Sequence, residues 1–114
     1  MSTCLFCRIV SGELPASTVF EDDRIVAFDD LHPQAPTHVL VVPKRHIATV
    51  TDLGPDDDGL VGALVRTAAA IAAERGIADA GFRTVFNCNA GAGQTVFHIH
   101  LHLLGGRTMH WPPG

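Results

Sequence analysis

The sequence predicts an α+β domain in which two helices pack against a largely antiparallel sheet of about five strands. Apolar residues between positions 60 and 72 recur at the spacing of an amphipathic helix. Five other short segments are apolar, rich in β-branched residues and bounded by turn residues, as strands are. A length of 114 residues with a 46% hydrophobic composition is typical of one globular domain, so residues 1–114 are expected to form a single domain.

The N-terminal part of the chain predicts a short helix followed by three strands. The helix covers residues 5–10 and ends at Ser11-Gly12, and Pro15 prevents its continuation. The strands cover residues 18–21, 24–28 and 38–42. Asp22-Asp23 is expected to form the turn between the first two strands, and prolines bound the third.

The C-terminal part predicts a long helix and two more strands. Pro55 is expected at the first position of a helix, the aspartates after it suit the positive end of the helix dipole, and Gly76 suits the C-terminus. The apolar face of this helix consists of Leu60, Leu64, Val65, Ala68, Ile71 and Ala72. The last two strands cover residues 83–87 and 96–104. A small sheet with open edges is suited to extension across a homodimer.

Composition and charge exclude several classes of protein. Eight lysines and arginines against twelve aspartates and glutamates give a formal net charge of -4, so no nucleic-acid partner is expected. The most apolar stretch, residues 60–73, contains Arg66 and is shorter than the roughly 20 residues that span a bilayer, so no membrane association is expected. The N-terminal residues lack the pattern of a signal peptide, which predicts a cytoplasmic protein with reduced cysteines.

Three histidines alternate along the last predicted strand, and in a strand His98, His100 and His102 share one face. The other, buried face is expected to consist of Phe97, Ile99, Leu101 and Leu103. Adjacent histidines then lie about 7 Å apart and the outer two about 14 Å apart. All three therefore cannot bind one zinc ion through bonds of about 2.1 Å. The alternative is a solvated polar face without a function.

A glycine-containing loop leads into the histidine strand. Gly91, Gly93, Gln94 and Thr95 are placed to expose N–H groups that hold an anion. Imidazole attacks phosphorus when it is neutral, and a pKa of about 6.5 keeps most histidine neutral at cytosolic pH. The pattern predicts phosphoryl or nucleotidyl transfer through a covalent histidine intermediate, with the flanking histidines binding phosphate or protonating the leaving group.

The segment His98-Ile99-His100-Leu101-His102-Leu103-Leu104 resembles the His-x-His-x-His signature of the histidine triad superfamily. The resemblance covers nearly the whole chain. Five further segments are similar to the histidine triad nucleotide-binding (Hint) branch, namely residues 20–24, 33–38, 43–46, 93–96 and 105–114.

The resemblance implies a homodimer with a shared sheet, which binds purine nucleoside monophosphates and hydrolyses adenosine phosphoramidates to AMP and an amine. By position, His100 would be the nucleophile at the α-phosphorus, and His98 and His102 would flank it. The other implied site residues are His38 to support the triad, Asp30 for the ribose, Leu14, Phe28 and Leu31 for the base, Asn87, Gly93, Gln94 and Thr95 for the phosphate or leaving group, and Trp111 near the partner's active site.

Several of these residues also have a purely structural interpretation. The three apolar residues assigned to the base could be ordinary core residues. Asp30 could cap the turn after its strand, and Trp111 could anchor the C-terminal tail.

Cys4 and Cys7 form a Cys-x-x-Cys pair that supplies two of the four ligands of a structural zinc site. The wider superfamily resembles this arrangement, and the positions that match its other two ligands are His46 and His98. A zinc-bound His98 would fix the strand instead of transferring protons. The alternative is a pair of reduced cysteines without a metal, and Cys88 is expected to be a small loop or core residue.

The leading hypothesis is therefore a nucleoside phosphoramidase that acts through a nucleotidyl-histidine. The alternatives are a nucleotide-binding regulatory module with residual catalysis, a dinucleoside polyphosphate hydrolase, and a hydrolytic metal centre. The C-terminal resemblance favours phosphoramidates over dinucleoside polyphosphates. Neither the leaving group nor the preference between adenine and guanine follows from the sequence.

Overall fold

The computed structural model describes residues 2–114, which contain two α-helices, three short 3₁₀ turns and one five-stranded sheet. In chain order the elements are α1 (Leu5–Val10), β1 (Thr18–Glu21), β2 (Ile25–Asp29), β3 (Thr37–Pro43), α2 (Asp58–Glu74), β4 (Phe82–Val85) and β5 (Leu101–Gly105). The strand order is β1-β2-β3-β5-β4 and every neighbouring pair is antiparallel. The predicted α+β class is confirmed.

The central strand β3 is buried along its whole length because each face of the sheet is covered by a different helix. Alternation along the strands divides their apolar side chains between two cores. The core under α2 includes Ile25, Ala27, Val39, Val41, Leu101 and Leu103. The core under α1 includes Val26, Phe28, Leu40 and Val42 together with Phe6 from the helix. The histidine-bearing site lies on the α1 face.

Helix α2 ends where glycine predicts, but it begins three residues after Pro55, which was predicted to be its first residue. The 3₁₀ turn Pro55–Asp57 leads into the helix, and Asp57 Oδ2 accepts a hydrogen bond of 2.8 Å from the Gly54 N–H. After the helix, Gly76 adopts a φ of 72°, the left-handed conformation that glycine accommodates without a steric penalty. Five of the six residues predicted to form the apolar face of α2 are buried or half-buried, whereas Val65 is 46% exposed.

The predicted strand 96–104 is wrong at its start, because β5 begins only at Leu101. In the β3–β5 register Val41 pairs with Leu101, so Ile99 would lie opposite Pro43. Proline has no N–H to donate to the ladder. The Ile99 N–H donates instead to the Ile47 carbonyl at 2.7 Å, and the chain leaves the sheet. The alternation therefore fails at Phe97, which was predicted to be buried and is 45% exposed.

The other strand boundaries differ less from the predictions. Strand β2 is displaced by one residue relative to the predicted 24–28, and β3 extends one residue beyond each end of 38–42. Strand β4 ends at Val85, which leaves Asn87 in the following loop.

Within residues 2–114, no helix combines the length and the apolar character that crossing a bilayer requires.

Candidate active site

A cavity of about 470 Å³ opens between α1 and the adjoining face of the sheet. The predicted site residues that line it are Leu14, Phe28, Asp30, Leu31, Thr95, His100 and His102. Leu31 is 89% exposed, which is unusual for a leucine and places it at the cavity rim instead of in a core. Among the described residues, Asn87, Gly93 and Gln94 are not part of the lining.

The helix α1 also lines the cavity, which the sequence interpretation missed. Leu5, Phe6 and Ile9 form this wall. Their spacing is that of one helical face, and this was the available signal. The ring of Phe6 meets that of His100 edge-on with 5.0 Å between the ring centres. The aromatic packing therefore joins the helix directly to the central histidine of the triplet.

The ring of His100 is buried and its tautomer is fixed by a backbone carbonyl. Its Nδ1 lies 2.8 Å from the carbonyl oxygen of His98, and that oxygen can only accept a hydrogen bond. The proton of the neutral ring is therefore on Nδ1, and the lone pair of Nε2 is free. Burial lowers the pKa of His100 below 6.5, against an opposing effect of the same hydrogen bond. The ring is thus neutral at neutral pH and presents an unshared electron pair on Nε2.

His102 is oriented by a chain of hydrogen bonds that starts at the Gln34 N–H. This N–H donates to His38 Nδ1 at 3.0 Å, so the proton of His38 is on Nε2. His38 Nε2 in turn lies 2.9 Å from His102 Nδ1, which accepts that proton's hydrogen bond. The remaining proton of His102 is therefore on its Nε2. This proton is available to a substrate oxygen or nitrogen.

The register of the sheet explains why His38 meets His102. Leu40 pairs directly with His102 and His38 with Leu104, so the two histidines are diagonal neighbours on one face. Burial first, and then the neighbouring histidines, lower the pKa of His102 to about 4. Burial also lowers the pKa of His38, although the nearby Asp30 carboxylate opposes this shift. The pair is accordingly neutral at neutral pH.

Asp30 lines the cavity and also contacts the histidine chain. Its Oδ2 lies 3.4 Å from His38 Nε2, while its Oδ1 accepts a hydrogen bond of 2.8 Å from the His32 N–H. The carboxylate therefore both caps a turn and faces His38, a contact that the sequence interpretation did not include. Its predicted ribose contact stays a prediction.

A second cluster lies behind the triplet, where α1 approaches the end of β3. It consists of Cys4, Cys7, His46 and His98, and their ligand atoms all lie within 4.8 Å of one another. His98 is fully buried, and its Nε2–H donates to the Pro43 carbonyl at 2.7 Å, so its Nδ1 lone pair points at the cluster. The structure thus brings together the four predicted metal ligands, which are distant in sequence.

The distances within this cluster fit a tetrahedral zinc ion. Such an ion, with Zn–S bonds of about 2.3 Å and Zn–N bonds of about 2.1 Å, separates S and N ligands by about 3.6 Å and two N ligands by about 3.4 Å. His98 Nδ1 lies 3.4 Å from Cys4 Sγ and 3.5 Å from Cys7 Sγ. His46 Nδ1 lies 3.4 Å from Cys7 Sγ and 3.2 Å from His98 Nδ1. The donor set and its edges both suit zinc.

The glycine-containing loop is closed on itself. The N–H groups of Gly93 and Gln94 donate to the carbonyls of Ala90 and Asn89. The buried side chain of Gln94 donates to the Ala48 and Val96 carbonyls and accepts from the Asn89 N–H. These hydrogen bonds within the loop and to its neighbours hold the loop in place. The predicted phosphate contacts of Asn87, Gly93 and Gln94 stay predictions. Thr95 is the loop residue that reaches the cavity.

Trp111 lies outside the cavity of its own chain. It is 82% exposed, and the tail before it is held by Arg83, which donates to the His110 carbonyl at 2.8 Å. The predicted contact of Trp111 with a partner's active site stays a prediction.

The chain matches a protein family model over most of its length and is similar to a named enzyme. Residues 3–111 match the protein family described as "Scavenger mRNA decapping enzyme C-term binding". The chain is 44% identical over 105 residues to the purine nucleoside phosphoramidase of Escherichia coli (strain K12), and the alignment covers 92% of this chain and 88% of the relative.

Two solved structures are similar over most of the chain. The HIT family hydrolase from Legionella pneumophila Philadelphia 1 is 55% identical with a TM-score of 0.97, and the match covers 98% of this chain and 100% of the other. A Zn-bound histidine triad family protein from Mycobacterium smegmatis is 36% identical with a TM-score of 0.80, over 93% of this chain and 76% of the other.

Proposed function

The chain belongs to the histidine triad (HIT) family, and from that premise we propose that it hydrolyses purine nucleoside 5'-phosphoramidates to the nucleoside monophosphate and an amine. The single observation that carries this proposal is the tautomer of His100. Its Nδ1–H is held by the His98 carbonyl, which leaves the Nε2 lone pair free at a cavity wall. The phosphoramidase activity of the Escherichia coli relative, which is 44% identical, supports the choice of substrate.

In the first step His100 Nε2 forms a bond to the α-phosphorus, and the P–N bond to the amine breaks with its electron pair going to nitrogen. The leaving nitrogen takes a proton from solvent and departs as the amine, while the neutral His102 donates a hydrogen bond through the Nε2–H that the hydrogen-bond chain from His38 leaves available. The positive charge that develops on the His100 ring is stabilised by the His98 carbonyl at 2.8 Å from Nδ1.

In the second step a water molecule attacks the same phosphorus and the bond to His100 Nε2 breaks. The electron pair of the broken bond returns to His100 Nε2 and the proton of the water passes to solvent, so His100 regains its neutral starting state while His102 stays neutral throughout. Phe28 and Leu31 would hold the base and Asp30 the ribose hydroxyls, as their positions along the cavity support. The cavity volume of about 470 Å³ is within the range of small-molecule sites.

We also propose that Cys4, Cys7, His46 and His98 hold a structural zinc ion. Bound zinc would supply a rigid cross-link between α1 and the sheet. His98 would then have no free lone pair, because its Nε2–H is already donated to Pro43 and its Nδ1 would bind the metal. The hydrogen bond to the leaving group is therefore assigned to His102 and not to His98. The zinc-bound relative, at 36% identity, supports this assignment.

A homodimer is the proposed assembly. Strand β4 is an edge strand with an open backbone, and an exposed Trp111 is available to a second copy. We propose that the sheet continues across such a dimer and that Trp111 reaches the partner's cavity.

The substrate class is tested by comparing initial rates for adenosine 5'-phosphoramidate, guanosine 5'-phosphoramidate and a diadenosine polyphosphate. We expect kcat/KM for the better phosphoramidate to exceed that for the polyphosphate by at least about tenfold, a factor that corresponds to about 1.4 kcal/mol in transition-state binding. Preference for the polyphosphate would contradict the proposed substrate. AMP binding without turnover of any of the three would indicate a binding module.

The pH dependence of the reaction tests the neutral histidines. His100 must be neutral to attack, and its burial lowers its pKa below 6.5, so protonation inactivates it only at lower pH. We therefore expect the acidic limb of kcat/KM to have its midpoint below pH 6.5. The rates are measured from about pH 4 to pH 8 with the non-enzymatic hydrolysis subtracted and the fold checked by circular dichroism. A midpoint above that value would contradict the assignment.

A further inference from the structure

The helix α1 connects the cluster of Cys4, Cys7, His46 and His98 to the cavity. Cys4 is its N-cap residue and Cys7 lies in its first turn, so both thiols belong to this helix. Leu5, Phe6 and Ile9 of the same helix line the cavity. One short helix and its N-cap residue therefore carry half of the proposed metal ligands and one wall of the proposed nucleotide site.

This helix has little that would stabilise it alone. It contains six residues, whereas isolated helices shorter than about 12 residues are marginal in water. Its ion pair between Arg8 and Glu13 is solvent-exposed, and such pairs contribute little. Phe6 is its one buried residue, packed edge-on against Phe28 with 5.5 Å between the ring centres. The position of the helix thus depends on contacts outside it.

The cluster of two cysteines and two histidines provides such a contact between residues that are distant in sequence. Cys7 lies 39 residues from His46 and 91 residues from His98, so bound metal would tie α1 to the end of β3 and to the histidine segment. The same His98 accepts the His100 Nδ1–H through its carbonyl, and Phe6 contacts both rings edge-on. The proposed metal ligands and the cavity wall are therefore linked by direct contacts through Phe6, His98 and His100.

We propose that zinc at the cluster of Cys4, Cys7, His46 and His98 and a purine nucleotide in the cavity bind cooperatively through α1. This inference rests on the proposed function. With zinc bound, the wall formed by α1 is already ordered, and a nucleotide does not have to order it. Because the coupling is thermodynamic, zinc raises the affinity for nucleotide and nucleotide raises the affinity for zinc by the same factor.

The test uses the full chain and two probes, AMP and Zn²⁺. Titration calorimetry measures AMP affinity in the zinc-loaded and the metal-free protein, and a chromophoric chelator measures zinc affinity with and without saturating AMP. We expect AMP to bind about tenfold more weakly without zinc, and zinc to bind more tightly with AMP by the same factor. Hydrogen exchange should accelerate in residues 5–10 of the metal-free protein, while β2 and β3 stay protected.

Matched variants separate the cluster from cysteine loss in general. Cys7→Ser should reproduce the metal-free AMP affinity, whereas Cys88→Ser, outside the cluster, should keep both affinities of the wild type. Equal AMP affinity with and without zinc, or no zinc binding, would overturn the coupling and leave the proposed phosphoramidate hydrolysis intact. Loss of protection throughout the sheet on metal removal would also overturn a coupling through α1. No AMP binding by the zinc-loaded protein would instead overturn the proposed function.

Discussion

Replacing His100 with alanine is expected to lower kcat/KM for adenosine 5'-phosphoramidate by about 10⁴-fold or more, because the variant has no nucleophile for the first bond to phosphorus. The fold should persist. The ring of His100 packs against Phe6 at the cavity, whereas the core under α2 does not include it. The loss is measured by steady-state release of AMP.

Two controls make that result specific to the proposed step. The variant should still bind AMP, since the proposed contacts of Phe28 and Leu31 with the base and of Asp30 with the ribose do not involve this ring, and its thermal transition should stay cooperative. His110→Ala removes a different imidazole, whose exposed side chain lies in the C-terminal tail, and it should retain most of the activity. Turnover by His100→Ala within about tenfold of the wild type would contradict nucleophilic catalysis by this residue.

Removing zinc is expected to produce the largest change in stability. A ligand that binds only the folded state at a free concentration of 1,000 times its Kd stabilises that state by about 4 kcal/mol. For a chain of this length this corresponds to a decrease in Tm of roughly 15 °C when the metal is removed. Four ligands from three separate segments meet in the cluster, so the unfolded chain cannot reproduce the site.

Differential scanning calorimetry of the zinc-loaded and chelator-treated protein measures this change. Cys4→Ser should lower the Tm of the zinc-loaded protein toward that of the metal-free form, since it removes one thiolate. Cys88→Ser serves as the matched control, because this cysteine lies outside the cluster, and its Tm should stay close to the wild-type value. A Tm that does not respond to chelation would exclude a structural zinc ion.

Local patterns predicted most of the secondary structure. The helix α1 was predicted with the bounds that the structure has, because glycine and proline end it. Strand β5 was predicted less well, because its start depends on a partner. Pro43 lies opposite the position of Ile99 only in the final register, and periodicity within residues 96–104 contains no information about that register. The exposed Phe97 follows from the same non-local cause.

The candidate site was predictable to a different extent for each residue. The alternating histidines are a local pattern, and two of the three, His100 and His102, line the cavity. The link between His38 and His102 requires diagonal neighbours on two strands, which the superfamily resemblance implied and the register explains. The contact of Asp30 with His38, and the inward orientation of Gln94, depend on tertiary packing and have no local signal.

A mass measurement of the protein during turnover tests the covalent histidine mechanism directly. Zinc-loaded protein is mixed with adenosine 5'-phosphoramidate, quenched in alkaline denaturant within the first turnovers, and digested with trypsin. The sequence predicts that all three histidines of the triplet lie in one tryptic peptide, residues 84–107. We expect this peptide to carry one adenylyl group that fragmentation assigns to His100. Formation of AMP in the first turnover with this peptide unmodified, or an adenylyl group on another residue, would contradict the mechanism.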